Sequence, residues 1–330
     1  MPLVDMPLAK LQAYQGRNPR PADFEAYWER ALTEMRAVDA QVEWVRSSFQ
    51  TPQADCFELY YTGVRGARIH AKYVRPKNVP EPHPAVVQFH GYSSRSGDWL
   101  DKLAYASLGY SVLSMDCRGQ GGSSEDTGGV KGTTHRGHII RGLDDEPDQL
   151  LFRHIFLDAA QLAGIAMDLP EVDGERIYAI GGSQGGGLAL ACAALQPRVR
   201  KLAPIYPFLC DYKRVWEMDL AQGAYEELRT FFRHFDPLHE REDEIFERLG
   251  YIDLQHLVGR IRGEVLMFVG LMDRTCPPST QFAAYNKITA PKQVVLYPDY
   301  GHENLPGAAS RTMQFLMNDA DEGIAWDKPG

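Results

Sequence analysis

Cysteine is sparse in this chain and poorly arranged for chemistry. The 330 residues hold five, an odd number, at Cys56, Cys117, Cys192, Cys210 and Cys276. No C-x-x-C pair occurs, so neither a zinc site nor a redox dithiol is indicated, and reduced thiols in a cytoplasm are expected. Positive charge is also short: 35 Lys and Arg stand against 44 Asp and Glu, a formal net charge of −9 with a pI near 5.6. Nucleic acid and anionic membrane surfaces need a cationic face, so neither is expected as a partner. No apolar run approaches the ~20 residues that span a bilayer. The opening Met-Pro-Leu-Val-Asp-Met-Pro-Leu-Ala-Lys lacks the basic segment and apolar core of a secretory signal. No internal repeat or low-complexity tract stands out. No pair of histidines has ligand spacing with nearby carboxylates on strand ends, so no metal is expected.

What remains is an ordinary globular composition, 44% hydrophobic and 24% charged. Residues 22–37 carry Phe24, Tyr27, Trp28 and Leu32 on one helical face behind Pro21. Residues 56–62 and 67–75 alternate like strands around Gly63-Val-Arg-Gly66, the pattern of an antiparallel hairpin. From residue 85 the pattern becomes strand, loop, helix. Strands are expected at 85–89, 110–115, 176–180, 264–269 and 293–297, with a long helix near 148–168. That alternation predicts a mostly parallel sheet with helices on both faces. Two stretches break the rhythm: 119–147, rich in Gly, Asp and Thr, and 207–262, aromatic, charged and helical in pattern. Both read as insertions into a single domain spanning 1–330, the second near the active site; loops of that length serve as lids, substrate walls or oligomer contacts.

Gly181-Gly182-Ser183-Gln184-Gly185 is the most informative stretch. It lies between the strand Arg176–Ile180 and a small-residue helix at 187–195. A G-x-S-x-G in that setting is a nucleophile elbow, a turn so tight that glycines must flank the serine. The bland alternative is a Gly-rich helix start with an incidental serine; five residues match by chance fairly often, but the strand before and the helix after weigh against it.

A serine nucleophile needs a base, and the base needs an orienting carboxylate. In α/β-hydrolases these follow in the order Ser, acid, His, each in a loop after a strand. Asp273 closes the strand 264–269, and His302 follows 293–297 in Tyr300-Gly-His-Glu303. His90, His135, His138, His234, His239 and His256 compete on residue type but lack that order and context. Asp299 and Glu303 sit on the histidine's own loop, too close to reach its far nitrogen easily. Two backbone amides should face the oxyanion: Gln184, after the nucleophile, and Tyr92, in His90-Gly91-Tyr92. Arg118, in Asp116-Cys-Arg-Gly-Gln-Gly121, is read as a loop-pinning residue, with an anionic-substrate contact as the other option. Aromatics at Tyr92, Trp99, Phe208, Tyr212 and Trp216 are either core or a sugar-stacking surface.

Together, Arg118-Gly-Gln-Gly121, Gly181-Gly-Ser-Gln-Gly185 and His302-Glu303 resemble carbohydrate esterase family seven, the acetyl xylan esterases and cephalosporin-C deacetylases. His90-Gly-Tyr92, Gly97-Asp-Trp99 and Gly137-His-Ile-Ile-Arg-Gly142 are similar to that family as well. The likeness runs from about residue 10 to 320. It implies an α/β-hydrolase fold with an N-terminal helix and hairpin, a triad of Ser183, Asp273 and His302, and oxyanion amides at Tyr92 and Gln184. It further implies cofactor-free deacetylation of acetylated xylo-oligosaccharides and cephalosporin C by a cytoplasmic homohexamer, with 119–147 as a subunit contact. The rivals are a hydrolase of longer-chain esters or peptides on the same fold, and a non-catalytic α/β-hydrolase that binds a small ligand.

Overall fold

The computed structural model describes residues 4–130, 132 and 134–318. Among the described residues, nine strands form one sheet: β1 (Glu43–Arg46), β2 (Ala54–Thr62), β3 (Arg68–Pro76), β4 (His83–Phe89), β5 (Ser111–Met115), β6 (Val172–Gly182), β7 (Lys201–Ile205), β8 (Glu264–Gly270) and β9 (Lys292–Tyr297). Their order across the sheet is β1-β2-β3-β5-β4-β6-β7-β8-β9. β1, β2, β3 and β5 pair antiparallel, and every pair from β5 through β4 to β9 is parallel. The expected hairpin is β2–β3, with Thr62 opposite Arg68. Its turn uses left-handed backbone at Arg65 and Gly66, φ 60° and 76°.

The parallel strands are apolar on both faces because both faces are covered. In β8, Val265, Met267 and Val269 point into one core, and Leu266 and Phe268 into the other. The first core holds the helices Phe24–Arg36, Leu151–Met167 and Gln184–Leu195. The second receives Ala308, Phe315 and Leu316 of the helix Ala308–Met317. The helix Gln184–Leu195 is buried on every side. Its glycines and alanines let it slip between the sheet and the helix Leu151–Met167, as an all-round apolar helix must. The N-terminal helix is fixed by Trp28, fully buried, stacked on Phe156 and donating from Nε1 to the Tyr251 carbonyl at 3.0 Å. Truncating such a side chain costs about 3–5 kcal/mol.

Boundaries differ from the sequence reading where local chemistry decides them. The long helix starts at Leu151 because Pro147–Gln149 form a 3₁₀ turn. β1 was not foreseen: all four of its residues are exposed, so no burial pattern marks it. The 207–262 insertion contains helices Tyr212–Glu217, Glu226–Phe235, Glu242–Gly250 and Leu254–Leu257. The described part of 119–147 is built mainly of turns; residues 131 and 133 lie outside the described residues. The two insertions meet through Arg241–Asp144 at 2.9 Å and Arg248 Nη1 donating to the Leu143 carbonyl at 2.9 Å. All five cysteines are free and buried. Among the described residues, no helix is long and apolar enough to cross a membrane.

Candidate active site

β6 runs straight into the helix Gln184–Leu195 with only Ser183 between them. Ser183 holds φ 57° and ψ −121°, a conformation costly for a side-chain-bearing residue. Its amide donates to Ile205 O of the next strand at 3.0 Å, and its carbonyl accepts from Gly187 and Phe208 amides, each at 3.0 Å. The flanking glycines are sterically required. A Cβ on Gly185 would stand 2.1 Å from the Phe89 carbonyl oxygen, and one on Gly181 would stand 2.4 Å from Gly185 backbone atoms. The strain at Ser183 is therefore held by packing, and it presents the hydroxyl at the carboxyl end of the sheet.

β8 and β9 end beside it. The structure brings the three residues expected to form a triad into one hydrogen-bonded chain. His302 Nε2 lies 3.0 Å from Ser183 Oγ, and Nδ1 lies 2.8 Å from Asp273 Oδ2. Asp273 is fully buried, and its other oxygen accepts the Thr275 and Cys276 amides, each at 2.8 Å. With a carboxylate fixed at Nδ1, the imidazole keeps its proton there and offers Nε2 to the serine. The two loops interlock because Gly270 lacks a Cβ, which would sit 2.5 Å from the Tyr300 oxygen. Of the rival acids, Glu303 is spent on the Gly301 amide at 3.0 Å and Asp299 is exposed.

Gln184 begins its helix, so its amide has no acceptor within that helix. Its side chain makes a buried reciprocal amide pair with Gln120, at 2.9 and 3.0 Å. Gln120 Oε1 also accepts the Ser93 amide at 2.9 Å, one residue beyond Tyr92. One side chain thus joins the two segments expected to carry the oxyanion amides. Asp116, at the end of β5, fixes the same loops by accepting the Ser96 and Ser123 amides at 2.5 and 2.8 Å. Tyr92 itself packs edge-on to His138 and Phe208, and its hydroxyl donates to Glu227. Glu227 also accepts the Ile139 and Ile140 amides at 2.6 and 3.1 Å. Burial nonetheless pushes its carboxyl up to about 7, against the pull of those donors.

Arg118 resolves as the loop-pinning residue. It is fully buried and bidentate to Asp158, at 2.7 and 2.6 Å, with Nη1 donating to Val64 O at 3.2 Å. Most of the candidate sugar-stacking aromatics are committed elsewhere: Phe208 and Tyr212 are fully buried, Trp99 stacks on Phe49, and Trp216 packs on Phe232 and Phe246. Sequence reasoning missed Tyr206. It follows β7 at φ 34°, and its ring lies 4.5 Å from the His302 ring. Among the competing histidines, His90 accepts the Cys117 amide at 3.0 Å and His256 meets the Asn18 and Pro19 carbonyls at 3.1 Å. No metal was expected, yet Asp273, Cys276 and His302 bring possible ligand atoms within 4.8 Å of one another. Both Asp273 oxygens are already engaged, which suits an oriented imidazole better than a cation.

A protein-family model described as acetyl xylan esterase (AXE1) matches residues 1–319. The crystal structure of acetyl xylan esterase 1 from Thermoanaerobacterium sp. JW/SL YS485 superposes with a TM-score of 0.92 at 62% identity, covering 94% of this chain and 98% of that one. An acetyl xylan esterase from Paenibacillus sp. R4 gives 0.88 at 37% identity, with 94% and 99% covered. Among curated proteins, acetyl esterase Axe7A of Xylanibacter ruminicola is 28% identical over 290 residues. That match takes in 86% of this chain but spans only 63% of the longer relative.

Proposed function

The chain belongs to the acetyl xylan esterase family, and from that membership we propose a serine esterase that removes acetyl groups from acetylated xylo-oligosaccharides and from cephalosporin C. The observation that carries the proposal is the chain from Ser183 Oγ through His302 to the buried Asp273, at 3.0 and 2.8 Å. His302 Nε2 takes the Ser183 proton as Oγ attacks the acetyl carbonyl. The Gln184 and Tyr92 amides stabilise the oxyanion. The imidazolium then returns its proton to the departing sugar oxygen, leaving an acetyl-enzyme. Water, deprotonated by the same nitrogen, adds to the acetyl group, and acetate departs as Ser183 regains its proton. Asp273 stays ionised, holding the imidazole and stabilising its cation. No cofactor takes part in any step.

The same proposal includes a cytoplasmic homohexamer in which 119–147 is a subunit contact, supported by the family resemblance of the sequence motifs. Light scattering on the purified chain tests the assembly. The chemistry is tested by acetate release from acetylated xylo-oligosaccharides and cephalosporin C by wild type and Ser183→Ala. Turnover that falls by several orders of magnitude in the variant is expected. Cleavage of p-nitrophenyl octanoate in strong preference to p-nitrophenyl acetate would move the assignment to a longer-chain esterase. Absence of all turnover, with no labelling of folded protein by a fluorophosphonate, would favour a non-catalytic ligand binder.

A further inference from the structure

The Glu227 carboxylate is nearly buried yet belongs to neither the sheet nor the elbow. It projects from the first turn of the helix Glu226–Phe235, inside the 207–262 insertion. From there it reaches a turn of the other insertion, through the Ile139 and Ile140 amides, and the loop after β4, through the Tyr92 hydroxyl. The two amide bonds alone would tie the insertions together. The third contact goes elsewhere, to the side chain of the residue whose backbone amide the proposed mechanism uses. That loop is held from its other side by Gln120 on the Ser93 amide. Ser93 has φ 58°, so the loop does not rest in an intrinsically favoured conformation and depends on its anchors. The Tyr92 ring is caught between His138 and Phe208, and its far end is held by the hydroxyl contact to Glu227.

We propose that Glu227 is a positioning residue for the oxyanion hole, holding the Tyr92 hydroxyl so that the Tyr92 amide keeps its aim at the reacting carbonyl. The inference rests on the function proposed above and adds a residue that acts through Tyr92 rather than on substrate. It also makes the two insertions part of the catalytic geometry, since one carboxylate connects both to the reacting centre.

The test is a double-mutant cycle with Tyr92→Phe and Glu227→Gln, measuring kcat and KM on p-nitrophenyl acetate and binding of a trifluoromethyl ketone. The ketone forms a hemiketal with Ser183 whose oxygen occupies the oxyanion hole. Complete loss of one donor costs about 10²–10³ in kcat; a donor present but displaced should cost about tenfold. Each single variant should lose about tenfold in kcat with KM within about twofold, and ketone affinity should fall in the same proportion. The double variant should be no slower than the worse single, because both remove one connection. Losses that multiply to about a hundredfold, or a Tyr92→Phe enzyme with wild-type kcat, would overturn the inference. Tyr92→Phe deletes one hydroxyl from a packed ring, so the outcome stands even where Glu227→Gln fails to fold. Failure of wild type to turn over p-nitrophenyl acetate through Ser183 would instead overturn the proposed function.

Discussion

Replacing Arg118 with methionine leaves Asp158 fully buried without its partner. Both side chains are completely shielded, and both guanidinium–carboxylate contacts are short, at 2.7 and 2.6 Å. Gly63 makes room for them: a Cβ there would lie 2.4 Å from Asp158 Oδ1. Breaking a buried pair by removing one partner costs about 3–5 kcal/mol, because the remaining charge is uncompensated. Burial already pushes the Asp158 carboxyl upward, so in Arg118→Met it takes up a proton rather than stay charged. Unfolding entropy is about 2.1 cal/mol/K per residue. Over 330 residues that is about 0.7 kcal/mol/K, so the thermal midpoint should drop by about 4–7 °C. The companion Arg118→Met/Asp158→Leu should recover most of the loss, since it removes both charges. Differential scanning calorimetry on wild type, both singles and the double measures all four corners. An Arg118→Met protein of unchanged midpoint but raised KM would refute the reasoning and return Arg118 to substrate binding.

Gln120→Ala should lower kcat by about ten- to a hundredfold and stability by about 1–3 kcal/mol, because it unpairs the buried Gln184 amide and frees the Ser93 amide; steady-state kinetics and urea titration read the two effects. Asp273→Asn should cut kcat by about 10⁴ with little change in KM, since the amide cannot hold the required imidazole tautomer; a loss under about tenfold would displace Asp273 from its role. For Glu227, the folded carboxyl near 7 lies above its ordinary value of 4.5. The stability this provides is complete below about 4.5 and is lost as pH rises through about 7. Glu227→Gln should therefore gain stability relative to wild type between about pH 5 and pH 8, read as the difference in urea midpoint at each pH; a pH-independent difference would contradict the burial argument.

Much of the fold was legible because parallel strands and their helices leave local patterns. Runs such as Glu264–Val269 and the glycine-flanked Ser183 carry their own reasons, and strand order then made Asp273 and His302 the candidates, which the fold brings into one hydrogen-bonded chain with Ser183. The unread parts depend on distance in sequence. Gln120 meets Gln184 across 64 residues, and Tyr92 meets Glu227 across 135. No periodicity connects such residues; only the meeting of loops at one end of the sheet does. Tyr206 was missed for a related reason. A backbone turn at the end of β7 swings its ring onto His302, and a contact between loops so far apart in sequence leaves no local pattern. For the aromatic candidates residue type left core and sugar-stacking surface both open, and position decides: Phe208 and Tyr212 are core.

The most direct test of the mechanism is to catch the intermediate. The enzyme would be mixed with excess p-nitrophenyl acetate, quenched in acid within the first turnovers, digested, and examined by tandem mass spectrometry. An acetyl group on the Ser183 hydroxyl, absent from Asp273→Asn treated identically for the same time, is the predicted result. Rapid p-nitrophenol release with Ser183 unmodified at every quench time, or with the acetyl group on another residue, would contradict it.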